Sequence, residues 1–167
     1  IADSLPTHPN VDPEEIERLV GPRTRAVVVV HYAGLACDLD RIGALCRERG
    51  ILLIEDAAHG IGSSHAGRPL GTIGDFGAFS FHETKNIHCG QGGLLLVNRP
   101  QFAERAAHMW ENGTNRAEFY AGLTDRYSWV DTGSCYLPSE LNAAYLWGQI
   151  QEMEVLLSRR MAHWELY

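Results

Sequence analysis

The stretch "AVVVVHYAGLACDLDRIGALCRERGILLIED", from Ala26 to Asp56, decides the fold class. "AVVVVHYAG" (Ala26–Gly34) is a short β-branched run bounded by Gly, the pattern of a buried strand. Leu39, Ile42, Leu45 and Cys46 then fall on one helical face, and Gly50 supplies a stop signal. "ILLIED" (Ile51–Asp56) is a second buried strand. Strand, helix and strand at this spacing form a βαβ unit, with parallel strands and a right-handed crossover.

Outward from this unit, "DFGAFSF" (Asp75–Phe81) and "GLLLV" (Gly93–Val97) predict two more short strands. "QFAERAAHMWENG" predicts a helix after Pro100 that stops at Gly113. Asn112 to Gly133 is polar, aromatic and Gly-containing, and reads as a long loop. From about Pro138 onward the apolar positions, among them Ala143, Leu146, Trp147, Ile150, Met153 and Leu157, predict one long helix. The class is α/β with a largely parallel sheet.

The composition suits a globular domain: 167 residues, 45% hydrophobic and 21% charged. The net charge of −7 comes from scattered acidic residues, so neither a nucleic acid nor an anionic membrane surface is an expected partner. No apolar run approaches the ~20 residues that span a bilayer. "IADSLPTHPN" has no basic and apolar signal regions. Cys37, Cys46, Cys89 and Cys135 form no CxxC pair, which fits reduced thiols in a cytoplasmic protein. The chain begins at Ile1 and ends at Tyr167 within a helical pattern, and reads as an excerpt of something longer.

Of the 14 Lys and Arg residues, 13 are Arg, and Lys85 is the single lysine. In open α/β sheets ligands bind beyond the carboxyl ends of the strands. Asp56 closes one strand, and Lys85 follows another. A guanidinium stays protonated, whereas a lysine amine can lose its proton and attack a carbonyl. A surface lysine in an arginine-rich chain is the plainer reading of the same fact. A carboxylate at a buried strand end needs a partner. That partner is either a backbone N–H or the protonated ring nitrogen of pyridoxal phosphate, whose sites pair a Schiff-base Lys with an Asp. Ser80 lies within reach of a phosphate, "GQGG" (Gly90–Gly93) lets backbone approach closely, and His59 is placed to bond a phenolic oxygen or to act as a capping or core histidine.

Together these residues resemble the DegT/DnrJ/EryC1/StrS family of sugar aminotransferases. The matching text is "RTRAVVVVHYAG", "IEDAAHGIGSSHAGRPLGTIGDFGAFSFHETKN", "GQGGLLLV" and "GSCYLPSELNAAYLWGQI", in family order over nearly the whole chain. "SFHETKN", "ENGTNRAEF" and "PSELNAAYLW" are most similar to the branch that makes dTDP-4-amino-4,6-dideoxygalactose, by aminating C4 of a dTDP-4-keto-6-deoxyhexose. The resemblance implies an aspartate-aminotransferase-like large domain (fold type I), of which residues 1–167 are the central part. A preceding segment and a small C-terminal domain are absent, so the isolated piece is expected to bind cofactor weakly.

The resemblance also implies roles. Lys85 carries pyridoxal 5'-phosphate and shuttles the proton. Asp56 pairs with the pyridine nitrogen, His59 lies near the phenolic oxygen, and Ser80 binds the phosphate. L-glutamate is the implied donor, a dTDP- or UDP-keto-sugar the acceptor, and a homodimer the assembly. The products of such enzymes feed deoxysugar and antigen or lipopolysaccharide polysaccharide synthesis. Asn112, Asn115 and Arg116 in "NGTNR" are candidate sugar-nucleotide contacts, with Arg116 facing a diphosphate. One departure stands out: many members have "GYNYR" where this chain has "GSCYL", which puts Cys135, with Ser134 beside it, at the position of a phosphate-binding Asn.

Three rival readings remain. "GIGSSH" (Gly60–His65) begins like a dinucleotide-binding GxGxxG, with His65 in place of the third Gly. His31, Cys37, His59, His82, His88 and Cys89 are possible metal ligands by type, but none makes HExxH or a spaced Cys pair, so no metal site is expected. A truncated, non-catalytic domain that serves dimerisation is the third.

Overall fold

The computed structural model describes residues 1–167. Asp12 and Pro13 start helix α1 (Pro13–Leu19): the Asp12 carboxylate accepts the Glu14 N–H at 2.8 Å, and Pro13 sits where no N–H is needed. Strand β1 (Ala26–Val30) follows, then helix α2 (Leu39–Arg49) and strand β2 (Leu52–Asp56). Asp38 caps α2 by accepting the Arg41 N–H at 3.0 Å, and Gly50 ends it at φ 62°, where a side chain would be strained. β1 and β2 are parallel, with Val30 opposite Asp56. The βαβ unit is therefore present, with its first strand ending at Val30 because Tyr32–Gly34 turn into a 3-10 helix.

Between β2 and the next sheet strand lies a two-stranded ribbon, β3 (Ser64–His65) and β4 (Arg68–Pro69). Its turn places Ala66 and Gly67 both at positive φ, the geometry that matches strand twist in a two-residue hairpin. Strand β5 (Phe76–Ser80) then pairs parallel to β2, and β6 (Gly93–Val97) pairs antiparallel to β5. The sheet order is β1-β2-β5-β6. Asp75 and Phe81 of the expected third strand fall just outside β5, because Asp75 instead accepts the Leu53 N–H and Phe81 turns into a small core with Ile87 and Cys89.

One face of the sheet is sealed. Val27, Val29 and Leu53 pack with Leu39, Ile42 and Cys46 of α2 and with Ile16 of α1. On the opposite face Val28, Val30 and Leu95 are exposed. The smaller core of Phe81, Ile87 and Cys89 is covered by Leu146, Met153 and Leu156.

By backbone contacts the chain divides into two units, residues 1–98 with 141–167, and residues 99–140. In the second, α3 (Ala103–Trp110) and α4 (Arg116–Tyr120) are joined by a bend and tied by the bridges Glu111–Cys135 and Thr114–Trp129. α4 interrupts the loop expected over Asn112–Gly133. Asn115 bonds the Arg126 carbonyl and the Ser128 N–H, which folds that loop on itself.

The single long helix expected after Pro138 is instead two, α5 (Glu140–Gln151) and α6 (Met153–Trp164). At the break the Glu152 N–H bonds the Gln149 carbonyl, three residues back, at 3.2 Å, so the helix tightens for one turn. No Pro or Gly marks the position, and the apolar spacing runs straight through it.

Candidate active site

Parallel pairing sets the carboxyl ends of β1, β2 and β5 along one edge of the sheet. Val30, Asp56 and Ala78 are in register there, with Ser80 two residues further along β5. The segments leaving these ends converge on a cleft of about 310 Å³ lined by Tyr32, Ala33, Ala58, His59, Ile61 and Asn86. The segment after β1, the segment after β2 and the neighbour of Lys85 thus share one cavity.

Asp56 ends β2 half-buried, and its Oδ1 accepts the Ala58 N–H at 3.0 Å, which leaves Oδ2 available. The capping partner that the sequence allows is therefore present, and it uses one oxygen only. His59 is exposed at the cleft, with its Nδ1 accepting the Ala33 N–H at 3.1 Å and its ring edge-on to Tyr32. Ser80 Oγ accepts the His82 N–H at 3.3 Å. Lys85 lies in a turn closed by its own N–H on the His82 carbonyl, at 2.9 Å. The ring of His82 in turn accepts the Thr84 N–H. Lys85 itself is half-buried and in no ion pair.

The Gly-rich turn lies at the start of β6, where Gly93 pairs with Ser80. Gly90 is at φ 79°, and a Cβ on Gly92 would press on Cys89 Sγ at 2.5 Å. Asn142 of α5 fixes this turn by donating to the carbonyls of Cys89 and Gln91, at 2.7 and 2.9 Å.

Asn112, Asn115 and Arg116 belong to the second unit. Asn112 adopts φ 61°. Asn115 is buried in its loop contacts. The Arg116 guanidinium lies 5.4 Å from the centre of the Tyr120 ring and 3.7 Å from Glu111.

A second carboxylate has an organising role that residue type alone does not reveal. Glu55 is fully buried and alternates with Asp56, so it faces the sealed side of β2. It accepts the N–H groups of Gly71, Ile73 and Gly74 at 2.8, 2.7 and 2.6 Å, and His31 Nε2 at 3.0 Å. His31 Nδ1 accepts the Cys37 N–H, so Nε2 carries the proton that bonds Glu55. Burial pushes the Glu55 carboxyl up, but His31 and the three backbone donors outweigh it and hold it below the ordinary value. The only sequence signal for this residue was a Glu in an otherwise apolar strand.

The dinucleotide-binding reading does not fit this geometry. Gly60–His65 leads into the β3–β4 ribbon and opens no helix, so it cannot present a helix N-terminus to a dinucleotide. His31 and Cys37 are committed to the core, with burial raising the Cys37 thiol to about 11. A His–carboxylate grouping not anticipated from sequence lies in the second unit, where His108 Nε2 is 2.8 Å from Glu118 with Glu104 nearby.

The model of the DegT/DnrJ/EryC1/StrS aminotransferase family matches residues 1–167. The chain belongs to this family. Solved structures agree. An aminotransferase, TlmJ, from Streptoalloteichus hindustanus is 34% identical over 91% of this chain and 40% of its own, with a TM-score of 0.81. The aminotransferase from Psychrobacter cryohalolentis is 31% identical over 87% of this chain and 38% of its own, with a TM-score of 0.80. DesI, solved with its TDP-sugar product, is 32% identical over 91% of this chain and 36% of its own, with a TM-score of 0.78. The chain thus spans about 40% or less of these members of the family. The α/β reading with an aminotransferase-like fold holds.

Proposed function

We propose that the protein is a pyridoxal-phosphate-dependent aminotransferase that moves an amino group from L-glutamate to C4 of a dTDP-4-keto-6-deoxyhexose. The supporting observation is that the only lysine, Lys85, lies in the turn beyond Ser80, on the sheet edge where Asp56 has an oxygen to spare. Family membership supports the reaction class, and the sugar and its carbon rest on the motif resemblance.

The residues suit the cofactor. Asp56 Oδ2 holds the proton of a pyridine nitrogen, His59 donates to the phenolic oxygen, and the Ser80 hydroxyl binds the phosphate. When bound, the cofactor supplies an electron sink for the carbon that loses or gains the proton. Lys85 Nζ would hold the cofactor and, once free, would carry a proton from the donor's amine-bearing carbon to the cofactor, and in the second half-reaction from the cofactor to the sugar carbon. The turn that fixes the Lys85 backbone, closed by its N–H on the His82 carbonyl, supports this role. Arg116 and Asn112 meet the nucleotide sugar, and Asn115 acts through the shape of its loop.

The match to only 40% of TlmJ's length is in keeping with reading residues 1–167 as the central part of the cofactor-binding large domain. In this reading two copies form a homodimer, with Cys135 or Ser134 at a shared phosphate contact. Four unpaired thiols support a reducing, cytoplasmic location. No helix is long and apolar enough to cross a membrane.

The test is an amino-transfer assay with cofactor, L-glutamate and a panel of dTDP- and UDP-keto-sugars, read by mass spectrometry of the sugar nucleotide. Amination of a dTDP-4-keto-6-deoxyhexose is expected. Amination of another keto-sugar alone would correct the substrate. No amination of any would remove the reading.

A further inference from the structure

We propose that the Ala33 backbone N–H holds His59 as its Nε2–H tautomer, so that Ala33 is a positioning residue and the ring presents one fixed donor at the cleft. The tautomer follows from a single bond. A backbone N–H can only donate, so His59 Nδ1, 3.1 Å from the Ala33 nitrogen, must offer its lone pair. In the neutral ring the proton is then on Nε2.

Three independent features hold that amide in place. Ala33 has φ 53°, a left-handed conformation that is unusual for a residue with a Cβ, and Gly34 follows at φ 81°. Backbone strain of this kind persists only where surrounding contacts impose it. The loop is also pinned on both sides of Ala33. His31 is locked by Glu55 and the Cys37 N–H, while buried Asn10 accepts the Tyr32 N–H at 3.1 Å and donates to the Leu35 carbonyl at 2.9 Å. Finally, the loop presses on the segment that carries His59: a Cβ on Gly34 would meet Ser63 Oγ at 2.8 Å and the His59 carbonyl at 3.0 Å. Tyr32 adds an edge-on ring contact at 5.6 Å. His59 and Ala33 both line the cleft. The acceptor suited to such a donor is an anionic or phenolic oxygen, and naming it as the cofactor's phenolic oxygen rests on the function proposed above.

The direct test is long-range proton–nitrogen NMR on protein labelled with nitrogen-15 histidine, without cofactor, at alkaline pH. The expected spectrum has His59 protonated on Nε2 and bare on Nδ1. Gly34→Ala, which pushes the loop off Ser63, should shift His59 to a mixture of tautomers. A protein in which His59 is Nδ1–H, or in which Gly34→Ala leaves the ratio unchanged, overturns the proposal. Cofactor affinity gives a second readout. His59→Gln, which retains one acceptor and one donor, should bind within a few-fold of the parent, and His59→Leu should bind about tenfold or more weakly. Equal affinity for both variants would also overturn the role at the cleft. Borohydride trapping on Lys85 in the same samples keeps the two claims apart. Trapping with an Nδ1–H ring removes this inference alone, and an Nε2–H ring without trapping supports the tautomer while removing the cofactor reading.

Discussion

At the residue scale, the proposed reaction depends on what a lysine does that an arginine does not. Lys85→Arg retains the charge but removes a nucleophile and a proton carrier. Amino transfer should fall by at least about 10²–10⁴-fold, read by the rate of sugar amination. Asp56→Asn retains the Ala58 contact but cannot hold a pyridinium proton, and should lower the rate about 10²–10³-fold with a smaller change in protein stability. Lys85 drew attention in the sequence as the single lysine, and Asp56 as a carboxylate closing a buried strand, a position the structure gives it. Glu55 was not legible, since only the structure shows four donors meeting its carboxylate.

Glu55 carries a pH prediction. Its carboxyl lies below the ordinary value in the folded state, so between that depressed pKa and about 4.3 the unfolded chain binds more protons. Stability therefore rises with pH across this window, and the contribution is lost as pH falls through the folded pKa. Glu55→Ala should cost about 3–5 kcal/mol at neutral pH, because it strands His31 and three backbone donors. Glu55→Gln should flatten the acid limb of a urea-midpoint titration.

At the element scale, local rules located the elements that carry local signals. α2 has the periodic face and the Gly50 stop read from the sequence, and the structure adds a cap at Asp38 and runs it from Leu39 to Arg49. Asp38→Ala should lower stability by about 1 kcal/mol, seen as a lower thermal midpoint. Gly50→Ala should also destabilise, since a methyl group at φ 62° is strained even in open space. β5 shows the opposite limit. A Cβ on Gly77 would run into the Gly71 carbonyl, a contact that periodicity cannot foresee because it involves the turn that Glu55 builds. The break between α5 and α6 was equally hidden, because a one-turn tightening at Glu152 needs no breaker residue. α1 had a usable signal, Asp12-Pro13 followed by two glutamates, that is independent of periodicity.

At the scale of the whole molecule, the sheet is sealed by α1 and α2 on one face and leaves Val28, Val30 and Leu95 exposed on the other. An apolar sheet face of this kind marks a surface for further packing. The same division governs the thiols. Cys37, Cys46 and Cys89 are buried and Cys135 is exposed, with burial raising Cys37 and Cys46. A thiol reagent at neutral pH should label Cys135 first, and the other three only on unfolding, as counted by mass spectrometry.

In the proposed function, Lys85 is the residue that holds the cofactor. The measurement is direct: add pyridoxal phosphate to the protein, reduce with borohydride, digest, and locate the adduct by mass spectrometry. A single adduct on Lys85 is expected, lost in Lys85→Arg and weakened in Asp56→Asn. An unmodified Lys85 under saturating cofactor would contradict it, and the solitary lysine would then be no more than a surface charge in an arginine-rich chain.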